Sequence, residues 1–357
     1  MKSIFITTSK IGAENQGDYI YSSQIFNVLN KSELVDLFSF EQKNNYLAVL
    51  LFFFLPMMWV RNFSLTLCMK LLKERDDYDV IYLDHYRCAW VSILAKLLNK
   101  KIFVFNHNLE SSVYRSLSKS SEASIFKRVF CFFEYTKVYL TELVVFRIIS
   151  GLSSISGDDI PEWARVKLLV LPPYSSEPFK FVGSPNKPTA IIVGSFHWRL
   201  KQHNLQVFLD AFYEVYKQNP KDCSVIVAGS APSSFYNSIR NEYPFVTVID
   251  GFNDLSELAG IATIGVCPDH AGGGFKLKTL DYFKLNLPMI AIENGASGVL
   301  EPVVPSFNTF QCLAKEVYSL LGDEKQRHSL FQKQNSYFLR HHSEDAFLGK
   351  IRVFSER

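Results

Sequence analysis

The chain lacks strong bias of any kind. Among its 357 residues Lys and Arg number 38 against 35 Asp and Glu, and a net charge of +3 is too balanced for a dedicated nucleic-acid binder. Charged residues at 20% and hydrophobic residues at 48% exclude a disordered chain. No long repeat and no low-complexity segment is present. The six cysteines (Cys68, Cys88, Cys131, Cys223, Cys267, Cys312) stand singly, with no pair at metal-ligand or redox spacing. They read as buried, reduced thiols. Met1-Lys2 runs at once into the strand-like Ser3–Thr7 without a cleavage site, so the expected location is cytoplasmic. Long apolar runs are scarce too. Tyr46 to Val60 is uncharged, but it is shorter than the roughly 20 residues of a membrane-spanning helix and Pro56 interrupts it. A buried or interfacial helix is expected there.

What is abundant is phenylalanine, with 31 residues, and the mean hydropathy is slightly positive at +0.04. A length of 357 residues fits two domains. Short apolar runs alternate with helix-length stretches. The strand candidates of the first half are residues 4–7, 34–38, 80–83, 102–105, 152–155 and 168–171, with helices over 19–29, 65–73, 89–98 and 125–149. The alternation predicts βαβ units and a parallel sheet, and strands apolar on both faces, such as 102–105, predict helices on both sides. A Pro-, Ser- and Gly-rich break over 173–188 reads as a linker. The rhythm then restarts with strands at 190–193, 224–228, 246–249, 263–267 and 289–292, and with helices at 205–216, 235–243 and 279–285. The expected fold is α/β: two tandem Rossmann-like doubly wound domains facing an interdomain cleft. Residues 1–172 form the N-terminal domain, 189–335 the C-terminal domain, and 336–357 a C-terminal helical segment able to pack back on the first. His341-His342 lies in a polar tail and reads as surface.

The densest chemistry lies in Asp269-His270-Ala271-Gly272-Gly273-Gly274-Phe275-Lys276-Leu277-Lys278-Thr279-Leu280-Asp281. It follows an apolar strand, passes three glycines and is expected to open a helix near Phe275. Glycines let a ligand approach the backbone, and Lys276 and Lys278 place two cations on the same turn. Asp281 is placed to accept hydrogen bonds from sugar hydroxyls. Together these suit a nucleotide diphosphate.

This run, with Leu287-Pro288-Met289-Ile290-Ala291, resembles the donor-site signature of glycosyltransferase family 4 and its relatives. Val193-Gly194-Ser195-Phe196, Val227-Ala228-Gly229-Ser230 and Gly251-Phe252-Asn253-Asp254-Leu255 agree in order, so the likeness spans about residues 188–300. In the first half, Tyr78-Asp79-Val80-Ile81, Asn106-His107-Asn108-Leu109-Glu110, Ser156-Gly157-Asp158-Asp159 and Leu171-Pro172-Pro173 are similar to family segments, and Gln16-Gly17-Asp18 takes the place of its phosphate-covering loop. Two departures stand out. The family carries two Glu residues with seven between; here the second is Asp281 and the first position is Gly273. Its Gly-Arg pair is Gly194-Ser195, which shifts phosphate neutralisation to Lys276, Lys278, Arg199 or Lys201.

The resemblance implies a GT-B-type glycosyltransferase moving a sugar from a nucleotide-diphosphate donor to a cell-surface glycan or lipid-linked acceptor, with retention. Donor binding falls to Gly17, Gly194, Ser195, Gly273, Gly274, Phe275, Lys276, Lys278 and Asp281. His107, Glu110 and Asp18 are the catalytic candidates, and Asp84 is a further carboxylate available as a base. No metal or other cofactor is required if the lysines neutralise the diphosphate. Two other readings remain open: a nucleotide-sugar 2-epimerase and a non-catalytic GT-B-fold partner subunit. The apolar, basic-flanked segments 46–60 and 126–133 would suit peripheral contact with an anionic membrane on its inner face.

Overall fold

The computed structural model describes residues 2–13, 17–42, 46–119, 124–179, 185–270 and 275–355. The chain divides into two compact units, Met1–Pro173 with Phe347–Arg357, and Tyr174–Ala346.

The first unit holds a six-stranded sheet built from β1 (Lys2–Thr7), β2 (Leu34–Ser39), β3 (Val80–Asp84), β4 (Lys101–Asn106), β5 (Gly151–Ser154) and β6 (Lys167–Val170). All pairings are parallel and the order is β2-β1-β3-β4-β5-β6. β3 and β5 are buried at every residue, as sheets covered on both faces require. The covering helices are α1 (Gly17–Ser32), α2 (Tyr46–Leu51), α3 (Met57–Arg61), α4 (Leu65–Lys73), α5 (Val91–Leu97), α6 (Glu110–Lys119) and α7 (Ile125–Ile148). α4 starts where expected because Ser64 caps it, its Oγ accepting from the Leu67 N–H at 3.3 Å.

The second unit repeats the plan with β7 (Thr189–Val193), β8 (Ser224–Gly229), β9 (Val246–Asp250), β10 (Ile264–Cys267), β11 (Met289–Ile292) and β12 (Ser306–Phe307). The order is β12-β11-β10-β7-β8-β9, again parallel throughout. Its helices are α8 (Arg199–Gln218), α9 (Ser233–Glu242), α10 (Lys278–Lys284), α11 (Phe310–Leu321) and α12 (Glu324–His341). Residues Tyr174–Phe179 belong to this unit: Ser175 donates its N–H to the His342 carbonyl at 2.9 Å and Phe179 donates to Lys284 at 2.8 Å. A last helix, α13 (Glu344–Ser355), carries the chain back into the first unit, where the Phe354 ring lies 5.1 Å from that of Phe103. A Cβ on Gly151 would come within 2.8 Å of the Phe354 ring, so glycine is what lets the ring reach the sheet.

Three expectations need correction. The helix after the Gly run opens at Lys278, not near Phe275, because Thr279 N–H bonds Lys276 and Leu280 N–H bonds Leu277 in a tight turn first. The run 46–60 is two short helices, broken at Pro56, with Phe52–Phe54 exposed between them and Pro56, Met58 and Trp59 buried. His342 is fully buried, packed on Phe275, Tyr337 and Phe338. The adjacent His341 faces Glu301 at 3.0 Å. The polar residues around the pair misled; what decides is that α12 carries one aromatic face. α6 and the two-residue β12 were not anticipated. The cysteines are all free thiols, four of them buried, but Cys312 is exposed.

Each sheet reverses strand order at one point, β1/β3 in the first unit and β7/β10 in the second. Ligands of open α/β sheets bind outside the carboxyl ends of the strands at such a switch point.

Candidate active site

At the β7/β10 switch point of the second unit the backbones come close together. Gly229 has φ +136°, and a Cβ there would stand 1.8 Å from the Gly194 carbonyl oxygen. Only glycine fits. A Cβ on Gly194 would in turn lie 3.0 Å from Lys278 Nζ, so that ammonium rests over the end of β7. Lys278 Nζ is 2.9 Å from Asp269 Oδ2. Lys201, from α8, and Lys276 belong to the same group. Burial lowers the pKa of both, the charge of Lys278 lowers both further, and Asp269 opposes the shift. Three ammonium groups therefore crowd around one buried carboxylate.

Asp281 lies one turn into α10. Burial lifts its carboxyl to about 6, with Lys284 and Lys278 pulling the other way, and no hydrogen bond contributes among the described residues. A buried carboxyl with no donor among the described residues can accept a hydrogen bond from a ligand. Ser195 is exposed just beyond β7. Phe275 is held by its own unit, its ring 5.0 Å from that of His342 and its Cα 2.6 Å from where a Gly298 Cβ would be. Gly273 and Gly274 lie outside the described residues.

The β1/β3 switch point of the first unit carries different chemistry. Asp84, at the end of β3, is fully buried; Thr7 Oγ1 donates to its Oδ2 at 2.5 Å and His107 Nε2 lies 2.9 Å from its Oδ1. Burial works to raise Asp84, but His85, His107 and the Thr7 bond hold it down at about 2. His107 follows β4. Burial alone would lower it, yet Asp84 and Asp18 raise it on balance. His85 stacks on His107 with ring centres 3.5 Å apart, and burial with the His107 charge drives it down to about 3. Asp18, in the first turn of α1, has Oδ1 3.8 Å from His107 Nδ1 and Oδ2 3.6 Å from Arg87. The His107 ring, then His85 and Arg87, holds its carboxyl well below the usual range against the effect of burial. Glu110 opens α6; burial raises it, while Arg87 and His107 nearby lower it. Gly17 is the exposed first residue of α1.

Sequence reasoning thus named members of both groups. It missed Asp269 and His85, each the second residue or the next after a strand's carboxyl end, which is the signal that could have found them. Asp84, expected as a further base, is a fully buried carboxylate whose contacts are with Thr7 and His107, so it is not placed to meet a substrate directly.

The chain is similar over its whole length to the solved structure of HepE from Anabaena in complex with UDP and glucose, at 13% identity, with 100% of both chains covered and a TM-score of 0.58. It is likewise similar to a trehalose-6-phosphate protein from E. coli bound with UDP-2-fluoro glucose, at 11% identity, 100% and 99% coverage and a TM-score of 0.66. Trehalose-6-phosphate synthase OtsA matches at 13% identity, 100% and 99% coverage and a TM-score of 0.65. No curated protein matches by sequence. At these identities the likeness shows the fold: tandem α/β units of the GT-B type. Residues 187–323, all within the second unit, match the family model for glycosyl transferases group 1. Glycosyl transfer is the activity that this match, which spans fewer than half of the residues, supports, in line with the resemblance read from the sequence.

Proposed function

We propose that the chain transfers a glycosyl group, with retention, from a nucleotide-diphosphate sugar to a cell-surface glycan or lipid-linked acceptor. The observation that carries the donor half is the lysine group at β7/β10. Lys201, Lys276 and Lys278 outnumber Asp269, and two of them have lowered pKa values that an anion would relieve. A departing diphosphate is such an anion, and fixed cations aimed at it are the main electrostatic help the reaction needs. Asp281 would accept from the ribose hydroxyls. Gly194 and Gly229 keep the strand ends free of side chains that would block the approach. The UDP-bound neighbours support a nucleotide donor.

In the first unit His107, with Asp18 and Glu110 around it, is the group we assign to the reaction centre. Asn106 and Ser154, at the ends of β4 and β5, have buried side-chain polar atoms without hydrogen-bond partners among the described residues. A hydroxyl-rich sugar is the kind of ligand that would satisfy them.

Membrane contact is supported by the way the two apolar segments meet. Lys137 Nζ, on α7, donates to the Phe53 carbonyl at 3.0 Å, and Met57 N–H donates to Glu134 Oε2 at 2.9 Å. Phe53 is 71% exposed and Phe126 is 89% exposed, with Phe52, Phe54, Phe132 and Phe133 also exposed. Lys127 and Arg128 flank them on α7. Among the described residues no helix is long and apolar enough to cross a membrane, so the contact would be peripheral.

Calorimetric titration with UDP, GDP, ADP and CMP tests the donor half. One of the four is expected to bind, with a loss of about tenfold or more in Asp281→Ala and in Lys278→Met, since a hydrogen bond to a charged group contributes ~1.5–3 kcal/mol. Binding by none would overturn the donor site.

A further inference from the structure

In the second unit a phenol hydroxyl stands inside the strand ladder. β7 stays paired with β8 as far as Val193–Ala228, and β10 with β11 as far as Cys267–Ala291. Between themselves, among the described residues, β7 and β10 pair at Ala190–Ile264 and Ile191–Gly265 and no further. The direction of the next rung follows from the backbone. Gly265 donates its N–H to the Pro288 carbonyl at 2.8 Å on the β11 side, so Val266 after it faces β7. Gly194 donates to the Ala228 carbonyl at 2.9 Å on the β8 side, so Val193 before it faces β10. The next ladder bond would run from the Val193 N–H to the Val266 carbonyl.

Tyr282 of α10 occupies that rung. Its oxygen accepts from the Val193 N–H at 3.2 Å, and its O–H donates to the Val266 carbonyl at 2.7 Å. One hydroxyl, donor and acceptor at once, thus satisfies both backbone groups while keeping the two strands from closing on each other. The side chain is fully buried. Its ring crosses Gly265, where a Cβ would come within 2.5 Å of ring carbons, so a side chain at that position would push the phenol out of the ladder.

The insertion lies where the strand order reverses, and α10 is the helix that presents Lys278. Lys278 and Tyr282 are four residues apart, on one face of the helix. The hydroxyl fixes that face against both strand ends. The Lys278 ammonium is then left over the end of β7, where a Cβ on Gly194 would meet it at 3.0 Å and Asp269 Oδ2 holds it at 2.9 Å. Were Val193 and Val266 to bond directly, the seam would close and the helix face would have to move.

We propose that Tyr282 is a positioning residue of the donor site: its hydroxyl, inserted between β7 and β10, holds the seam open and sets where α10 carries the Lys278 ammonium. The role in binding a nucleotide diphosphate rests on the donor reading given above; the placement of Lys278 rests on the strand ladder alone. Tyr282 acts through Lys278 and meets no ligand itself.

The test uses the full chain, first without ligand. Lysine acetylation followed by mass spectrometry should label Lys278 several-fold faster in Tyr282→Phe than in the parent, with the exposed Lys315 as the reference within each sample. Calorimetry with UDP, GDP, ADP and CMP should then show Tyr282→Phe weakening the nucleotide that binds by about tenfold, but by only about two- to threefold once Lys278 is replaced by Met, since groups that act through one another are not additive. A merely structural loss would repeat in full in the Lys278→Met background. An unchanged Lys278 labelling rate, an unchanged affinity, or a full second loss in Lys278→Met each overturns the proposal. If no nucleotide binds the parent, the donor reading fails, and the labelling rate alone decides whether the hydroxyl places Lys278. Should Tyr282→Phe fail to fold by circular dichroism, Gly265→Ala, which displaces the ring and keeps the hydroxyl, takes its place in both measurements.

Discussion

The two units share a topology rule and differ in what they place on it. Each reverses strand order once, and each gathers its reactive side chains outside that reversal. In the second unit the edge is made of glycines and lysines: Gly194 and Gly229 strip the strand ends bare, and Lys201, Lys276 and Lys278 surround Asp269. In the first it is made of rings and acids: His85 and His107 stacked, with Asp84 beneath and Asp18 beside them. The contrast teaches that one fold plan gives an open, cation-rich strand edge where side chains are small and basic. It gives a rigid, desolvated histidine site where they are bulky and paired.

The comparison breaks most visibly if the buried pair is removed. Asp84→Ala leaves His107 without its partner and should destabilise the first unit by about 3–5 kcal/mol, the usual result of breaking a buried ion pair. Denaturant unfolding followed by a probe in each unit should show the loss in one transition alone; equal loss in both would mean that the units are not separate in stability. Gly229→Ala is the counterpart for the second unit. The added methyl collides with the Gly194 carbonyl at a φ of +136°, so a cost of roughly 2–4 kcal/mol is expected, confined to the other transition. An unchanged midpoint would show that the strand end can relax.

Titration sharpens the contrast further. Asp281 has its carboxyl raised to about 6, so the folded protein binds that proton more tightly than the unfolded chain does. Its contribution to stability therefore improves as the pH falls through about 6 toward the ordinary carboxylate range, while its capacity to accept the hydrogen bonds proposed for it declines. Nucleotide affinity should drop several-fold from about pH 7 to about pH 5 and be flat over that window in Asp281→Asn. Asp84, held at about 2, behaves in the opposite sense: its stabilisation is present above the ordinary carboxylate value and is lost only as the pH falls through about 2. The smallest folding effect belongs to the surface. Phe53→Ser/Phe126→Ser should change stability by about 0.5 kcal/mol or less yet reduce co-sedimentation with anionic vesicles. Unchanged sedimentation would remove the membrane from the reading.

Much of this was legible in the sequence because strand and helix patterns are local. Leu65–Lys73 and Met289–Ile292 appear as expected, and other strand ends move by a residue or two. The lysines at 276 and 278 could be read because the turn that presents them is contiguous. Of the histidine group, Asp18, Asp84 and His107 are legible singly, but their meeting with His85 is not, since positions 18, 84, 85 and 107 are brought together by the parallel register of β1, β3 and β4. His342 was misread for a related reason: its neighbours in sequence are polar, whereas its neighbours in space are Phe275, Tyr337 and Phe338.

The return of α13 to the first unit has an implication for biosynthesis. Phe354 supplies part of the cover of β4, through Phe103 and Phe105, and Phe347 meets Tyr21 edge-on. A ribosome making this chain finishes every strand of the first sheet by residue 170, yet releases the ring that seals it only some 180 residues later. The second unit is contiguous and can close as it emerges. The first unit lacks that part of its apolar cover until its successor has been made, so the last piece of the unit that starts first is also the last piece of the chain.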